Sequence, residues 1–402
     1  MNLELKEFEL AAERLKSTIH KTKVERSKTF SEMAGGEIYL KYENQQKTGS
    51  FKIRGASNKI AAMVERGEIK SAVASSAGNH AQGVAYASNV HNIPATIVMP
   101  KSAPIAKVLA TEGYGAKVVL HGDCYDDAYA KALEIQEQEG ASFLHPYDDL
   151  EVIAGQGTIG LEILRDLPTV DVIITPAGGG GLLAGVAACV KQINPRVKIV
   201  GVQAEGASAI AQAFKAKKRV ETDKVNTIAD GIAVKSPGHI TQELINQYAD
   251  DVVTVSDSEI SSAILLLLER TKQVVEPAGA TTLAAVLNNK IDVKGKRVVC
   301  LLSGGNIDVS FISRIIEVGL VARERKLKFS TTLLDKPGSL EKLSKLLSEV
   351  NANIVMVQYD RLDPDLEPNE TLIRVACDVG GREHGLKVIK KLESNGYSVI
   401  KE

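Results

Sequence analysis

Net charge is almost absent from this chain. Its 49 lysines and arginines face 50 aspartates and glutamates over 402 residues, a formal charge of −1. No broad basic surface for nucleic acid is implied. Cysteine is also scarce. Cys124, Cys189, Cys300 and Cys377 lie far apart and form no CxxC pair. That leaves neither a zinc pattern nor a disulfide framework, and a reducing cytoplasm fits best. The N-terminus carries mixed charges and lacks the apolar stretch of a secretory signal. One long uncharged run, Ile173 to Val190, raises the question of a membrane span. It holds Pro176 and four consecutive glycines, Gly178 to Gly181. In a water-soluble helix a glycine costs about 1 kcal/mol relative to alanine and a proline about 3. The first half of the run therefore reads as strand and loop, and no membrane partner is expected.

What is present is ordinary in amount and regular in order. Hydrophobic residues make up 44% and charged residues 25% of the chain, as in soluble globular proteins of two or three domains. Residues 3–20 read as an amphipathic helix. From Glu37 onwards strands alternate with helices as far as about residue 322. Strands are expected near 37–42, 71–74, 95–99, 116–120, 142–144, 171–175, 198–202, 251–255 and 297–302. That alternation predicts an α/β fold with mainly parallel sheets. A charged stretch at 323–326 reads as a linker. Beyond it the order strand (327–334), helix (338–349), strand (352–361), strand (370–378), helix (382–394), strand (396–400) is the ferredoxin-like βαββαβ arrangement.

Four stretches carry chemistry. In Ser50-Phe51-Lys52-Ile53-Arg54-Gly55-Ala56, Ile53, Ala56, Ile60 and Met63 recur at helical spacing, which places Lys52 at a helix start. Apolar neighbours and the positive end of the helix dipole both favour the neutral amine, the form that attacks a carbonyl. Pro176 to Gly185 follows a strand and opens a helix. Its successive glycines let backbone N–H groups converge on an anion, so the loop suits a phosphate. Gly179-x-Gly181-x-x-Ala184 also matches the dinucleotide fingerprint, with Glu205 where a ribose-binding acid belongs. A nicotinamide-dependent dehydrogenase therefore stays open at this point. Ser75 to Gly83 places hydroxyls and N–H groups at a helix start, where a carboxylate is held or the helix is merely capped. Ser303-Gly304-Gly305-Asn306 follows a strand directly, at the end where catalytic groups gather in parallel sheets.

In this order and spacing the four stretches resemble the fold-type II pyridoxal-phosphate enzymes, two parallel-sheet α/β lobes of the tryptophan-synthase-β kind. Within these the likeness is to the threonine dehydratase (threonine ammonia-lyase) family, over residues 1–322. Residues about 40–145 would form a smaller lobe inserted in the larger. Residues 327–402 resemble an ACT domain, with Asp335 to Leu340 as its first strand-to-helix turn. The resemblance implies pyridoxal 5'-phosphate as cofactor, with L-threonine deaminated to 2-oxobutanoate and L-serine to pyruvate. It implies that Lys52 holds the cofactor aldehyde and later moves the substrate α-proton. Phe51 would pack beside the ring, Asn79 bond its 3-oxygen, Gly178, Gly179, Gly180 and Gly181 hold its phosphate, and Ser303 face its ring nitrogen. Gly231 and Glu276 would line the site. Ser76, Asn79 and His80, largely through the loop backbone, would hold the substrate carboxylate. The acidic triad that holds a divalent ion in related serine racemases is not matched, since Ala209 and Ala211 follow Glu205. No metal ligand set is therefore expected, and a monovalent cation stays open. Related serine racemases carry a serine at the place of Ala77, so elimination is expected over racemisation, with a serine dehydratase or racemase as the alternative in this fold. The ACT-like tail implies an amino-acid effector, isoleucine or valine, and the family implies a homodimer or homotetramer.

Overall fold

The computed structural model describes residues 3–364 and 366–402. It divides into two compact units between Val309 and Ser310. In the first, six strands form one sheet: β1 (Val24–Arg26), β2 (Glu37–Lys41), β7 (Val172–Pro176), β8 (Lys198–Ala204), β9 (Asp251–Val255) and β10 (Arg297–Leu301). Their order is β1-β2-β10-β7-β8-β9. Only β1 runs antiparallel to its neighbour. The chain between β2 and β7 supplies a second, wholly parallel sheet of β3 (Ala72–Ser75), β4 (Ala95–Met99), β5 (Lys117–Leu120) and β6 (Ser142–Phe143), in the order β5-β4-β3-β6. Helices cover these strands, which explains their near-continuous apolar runs. The uncharged run is core: the helix Gly181–Ile193 is buried at every residue from Gly181 to Val190. Among the described residues no helix is long and apolar enough to cross a membrane.

The second unit begins with most of the helix Val309–Ala322. It continues with β11 (Lys326–Leu334), β12 (Asn353–Asp360), β13 (Glu370–Asp378) and β14 (Ile400–Lys401), with helices Ser339–Glu349 and Arg382–Glu393 between them. The antiparallel order β12-β13-β11-β14 is that of the ferredoxin-like fold. Phe329, Leu343, Leu347, Ile373, Val388 and Leu392 form its core.

Three local expectations are revised. The first helix spans Leu5–Leu15, not 3–20. Past Leu15 the chain turns so that the backbone of His20 meets the Gln46 amide through two bonds of 2.7 Å. Neither β1 nor the helix Lys28–Ala34 was anticipated, although the helix's Ser27 cap and Gly35 stop mark it. The last strand holds only Ile400 and Lys401, because a turn at Gly396 precedes it and pairing reaches only Phe329 and Ser330.

A buried set of charges ties the first unit together beside the Lys52 stretch. Arg54, on the helix Lys52–Arg66, is fully enclosed. Its guanidinium donates to both oxygens of Glu43 at 2.8 Å, and to Glu162 at 2.8 and 3.0 Å. Lys41, at the end of β2, donates to Glu162 and to the Thr22 carbonyl, and the Thr22 hydroxyl donates to Glu43. Two cations and two anions cancel. Burial works against each charge, but Arg54 and Lys41 outweigh it at Glu162 and hold that carboxyl below its usual range. Removing one partner leaves a buried charge uncompensated. Arg54→Ala is therefore expected to destabilise the first unit by about 3–5 kcal/mol, read as a lowered urea midpoint. A loss below about 1 kcal/mol would show that the cluster is solvent-screened.

Candidate active site

The parallel strands bring their carboxyl ends to one region. β7 ends at Pro176, just before the glycine loop, β10 at Leu301, just before Ser303, and β3 at Ser75, just before the loop leading to Asn79. The Lys52 stretch is bound to the β10 loop. The Phe51 N–H donates to the Ser303 carbonyl at 3.0 Å, Ser50 pairs with Gly304, and the Gly305 N–H donates to the Gly49 carbonyl at 2.9 Å.

Lys52 is the first residue of its helix, as its spacing predicted. Its amine lies 5.5 Å from the Phe51 ring centre and donates to the Pro146 carbonyl at 2.8 Å. The residue keeps some exposure, but the amine is enclosed. Burial brings its pKa down to about 8, against the opposing pull of Glu276. Such a lysine is about one-tenth neutral at pH 7, far more than an ordinary one, and is better fit to act as nucleophile or base.

The glycine loop opens the helix Gly181–Ile193, whose first-turn N–H groups have no acceptor within the helix. Gly180 sits at φ 100°, in the left-handed region. At Gly179 a side chain is excluded, since a Cβ would lie 2.4 Å from the Tyr147 ring. The segment 146–148 thus reaches both the lysine and the loop. Its Asp148 caps another helix, His239–Tyr248, accepting from the His239 and Thr241 N–H groups at 3.0 and 3.1 Å. Thr241 in turn donates to the Gly179 carbonyl at 2.8 Å. The geometry fits a phosphate: free donors at a helix's positive end, a tight glycine wall, and an enclosed amine held at the same segment.

The remaining candidates converge unevenly. Asn79 opens the helix Asn79–Val90 and donates through Nδ2 to both Glu276 oxygens, at 2.9 and 3.0 Å. Burial raises the Glu276 pKa to about 7, despite the Asn79 bond. Gly231 belongs to the same corner, since a Cβ there would lie 3.5 Å from Glu276 Oε1. The Ser76 hydroxyl accepts the Gly78 N–H at 3.2 Å and so shapes its own loop. The buried His80 ring points elsewhere, to the Leu144 carbonyl at 2.8 Å, and burial brings its pKa down to about 3. Only backbone at His80 is left to face a carboxylate. The sequence reading missed Pro146, Tyr147, Asp148 and Thr241. They act through a loop and a distant helix, and no local pattern marks them.

With this geometry in hand, comparison with known proteins decides the family. Residues 15–304 match the family model described as "Pyridoxal-phosphate dependent enzyme". The chain belongs to that family. It is 48% identical to an L-threonine ammonia-lyase of Thermotoga maritima, over 98% of each chain. Among solved structures it resembles tomato (Solanum lycopersicum) threonine deaminase isoform 2 in processed form, at 36% identity and TM-score 0.74, covering 78% of this chain and 93% of that one. It also resembles maize serine racemase, at 35% identity and TM-score 0.75, covering 79% and 98%. The fold is that of the fold-type II enzymes, and the cofactor is pyridoxal phosphate. The nicotinamide reading of the glycine loop is not favoured.

The lowered Lys52 pKa is measurable on the apoprotein by peptide-resolved amine labelling. The Lys52 rate is expected to rise through a midpoint near 8, in the direction burial dictates. Glu276→Gln removes the charge that opposes this shift and is expected to lower the midpoint further. A midpoint in the ordinary lysine range, near 10.5, would contradict the enclosed amine.

Proposed function

We propose that this chain is a threonine ammonia-lyase that converts L-threonine to 2-oxobutanoate and ammonia, and L-serine to pyruvate. The observation that carries the reading is the enclosed amine of Lys52, within the same set of loops as a glycine cradle for phosphate. Similarity to an L-threonine ammonia-lyase along 98% of both chains supports it. Lys52 would hold the cofactor covalently. Gly178 to Gly181 would take its phosphate, Phe51 would pack by its ring, Asn79 would donate to its ring oxygen, and Ser303 would face its ring nitrogen. Gly231 and Glu276 complete the wall, and the backbone from Ser76 to His80 takes the substrate carboxylate. Bound pyridoxal phosphate supplies an electron sink for the negative charge left at the substrate α-carbon.

The chain's own groups do the rest. Once released from the cofactor, Lys52 is the base that removes the α-proton, and burial makes its amine easier to deprotonate for that role. Ser303 is uncharged and does not hold a ring nitrogen protonated as an aspartate would. That tempers the electron sink and disfavours transamination. Ala77 carries no proton to return to the opposite face, so elimination prevails over racemisation.

We further propose that residues 1–322 are the catalytic part, joined by 323–326 to a regulatory domain at 327–402, and that the protein is a homodimer or homotetramer. In the second unit a cavity of about 410 Å³ lies at the turn Leu333–Leu340, with Tyr359, Arg361 and Thr371 beside it. Its rim carries an Arg361–Asp335 ion pair at 2.9 Å. The size and the paired charges suit the zwitterion of isoleucine or valine as effector.

Purified protein supplied with pyridoxal phosphate and L-threonine is expected to release 2-oxobutanoate and ammonia, and Lys52→Ala to lose activity by on the order of a thousandfold or more. Cofactor-loaded protein inert towards both threonine and serine would refute the reading. Titration of the same preparation with isoleucine and valine in a calorimeter should give binding heat with at least one. Silence with both would remove the effector proposal alone.

A further inference from the structure

The Ser303–Asn306 motif ends in a residue with no role so far. Asn306 Nδ2 donates to the Thr48 carbonyl at 2.7 Å and to Asn79 Oδ1 at 2.8 Å. An amide nitrogen carries two hydrogens, and both are used here. Asn79, with its oxygen occupied, then turns its own NH₂ to Glu276, at 2.9 and 3.0 Å. The polarity of this chain is not free. It is anchored by a peptide carbonyl, which only accepts. Thr48 O therefore requires the nitrogen of Asn306, and that nitrogen requires the oxygen of Asn79. The NH₂ of Asn79 turns to Glu276 and the site, where one hydrogen shared between the two carboxyl oxygens leaves the other for a ligand.

The anchor itself is held in an unusual backbone. Thr48 is a β-branched residue at φ 63°, a conformation such residues seldom adopt. Gly49 follows at φ 72°, with Asn306 Oδ1 packed where a Cβ would project, 2.3 Å away. Strain of this kind persists only where the surroundings over-determine it. The Gly305 N–H bond to the Gly49 carbonyl and the Ser50–Gly304 pairing supply that determination.

We propose that Asn306 is a positioning residue that locks Asn79 as a hydrogen-bond donor towards the cofactor's ring oxygen. This rests on the reading of Asn79 given above. Without Asn306 only Glu276 orients the Asn79 amide. A carboxyl can accept and, when protonated, donate, so it does not fix which end of the amide faces the cofactor. An amide oxygen turned there repels an anionic ring oxygen. Asn306 acts through Asn79, so the two substitutions should not add.

The test compares Asn79→Ala, Asn306→Ala and the double variant with the parent. One readout is pyridoxal-phosphate affinity of the apoprotein by equilibrium dialysis. Another is the pH midpoint of the bound cofactor's absorption band, and a third is thermal unfolding of the apoprotein. Asn306→Ala is expected to weaken cofactor binding roughly tenfold and to move the absorption midpoint in the same direction as Asn79→Ala. The double variant should match Asn79→Ala alone. If Asn306→Ala lowers only the unfolding temperature, or if the two effects add, Asn306 is merely structural and the inference is overturned. If Asn79→Ala itself leaves affinity and spectrum unchanged, the reading of Asn79 fails first and the inference falls with it.

Discussion

The first unit depends on one electrostatic constraint, the cancellation of four charges, three enclosed and Glu162 nearly so. Arg54, Glu43, Glu162 and Lys41 come from the helix that begins at Lys52, from the turn after β2, from the helix Leu150–Asp166 and from the end of β2. None is tolerable there alone, because desolvating a single ion costs several kcal/mol. Together they hold the start of the Lys52 helix to its neighbours. Lys52 lies two residues before Arg54, so it inherits that position. The cluster does not have to stabilise more than apolar packing would. Its consequence is geometric: the helix cannot slide without exposing or unpairing a charge.

From that anchor, burial sets the chemistry. The same low-polarity surroundings lower the pKa of Lys52 and His80 and raise that of Glu276. Each shift favours the neutral form, as desolvation requires. An amine more easily neutralised than an ordinary lysine's and a carboxyl able to stay protonated near neutral pH therefore serve the same site, while the uncharged imidazole of His80 is turned away to the Leu144 carbonyl. The phosphate cradle works oppositely. It concentrates positive potential through backbone N–H groups at a helix start, with no basic side chain needed.

Much of this was legible in the residues. The spacing of Ile53, Ala56 and Ile60 marked the helix, and all three are fully buried. Four adjacent glycines have few uses, and Tyr147 packed on Gly179 shows why a side chain is barred. Strand and helix alternation gave the mainly parallel sheets, though not the antiparallel edge strand β1, and the charged stretch after the last long helix announced the antiparallel sheet. The illegible part is what tertiary structure brings in from far along the chain. Pro146 presents a carbonyl, which every residue has, so nothing in its identity points to Lys52. Asp148 and Thr241 meet only because two elements fold onto the loop. The pairing of Asn79 with Glu276 joins residues 197 positions apart. The buried charge cluster draws Lys41 and Glu43 from residues that read as a polar turn and its other two members from two helices.

The central claim is that Lys52 is the residue to which the cofactor is bound. The most direct measurement is borohydride reduction of the cofactor-loaded protein, followed by proteolysis and mass spectrometry. Reduction fixes the carbonyl carbon of pyridoxal phosphate to the lysine nitrogen as a stable secondary amine. The account predicts the added mass on the peptide containing Lys52 and on no other. The same mass on a different lysine, with the Lys52 peptide unmodified, would contradict it.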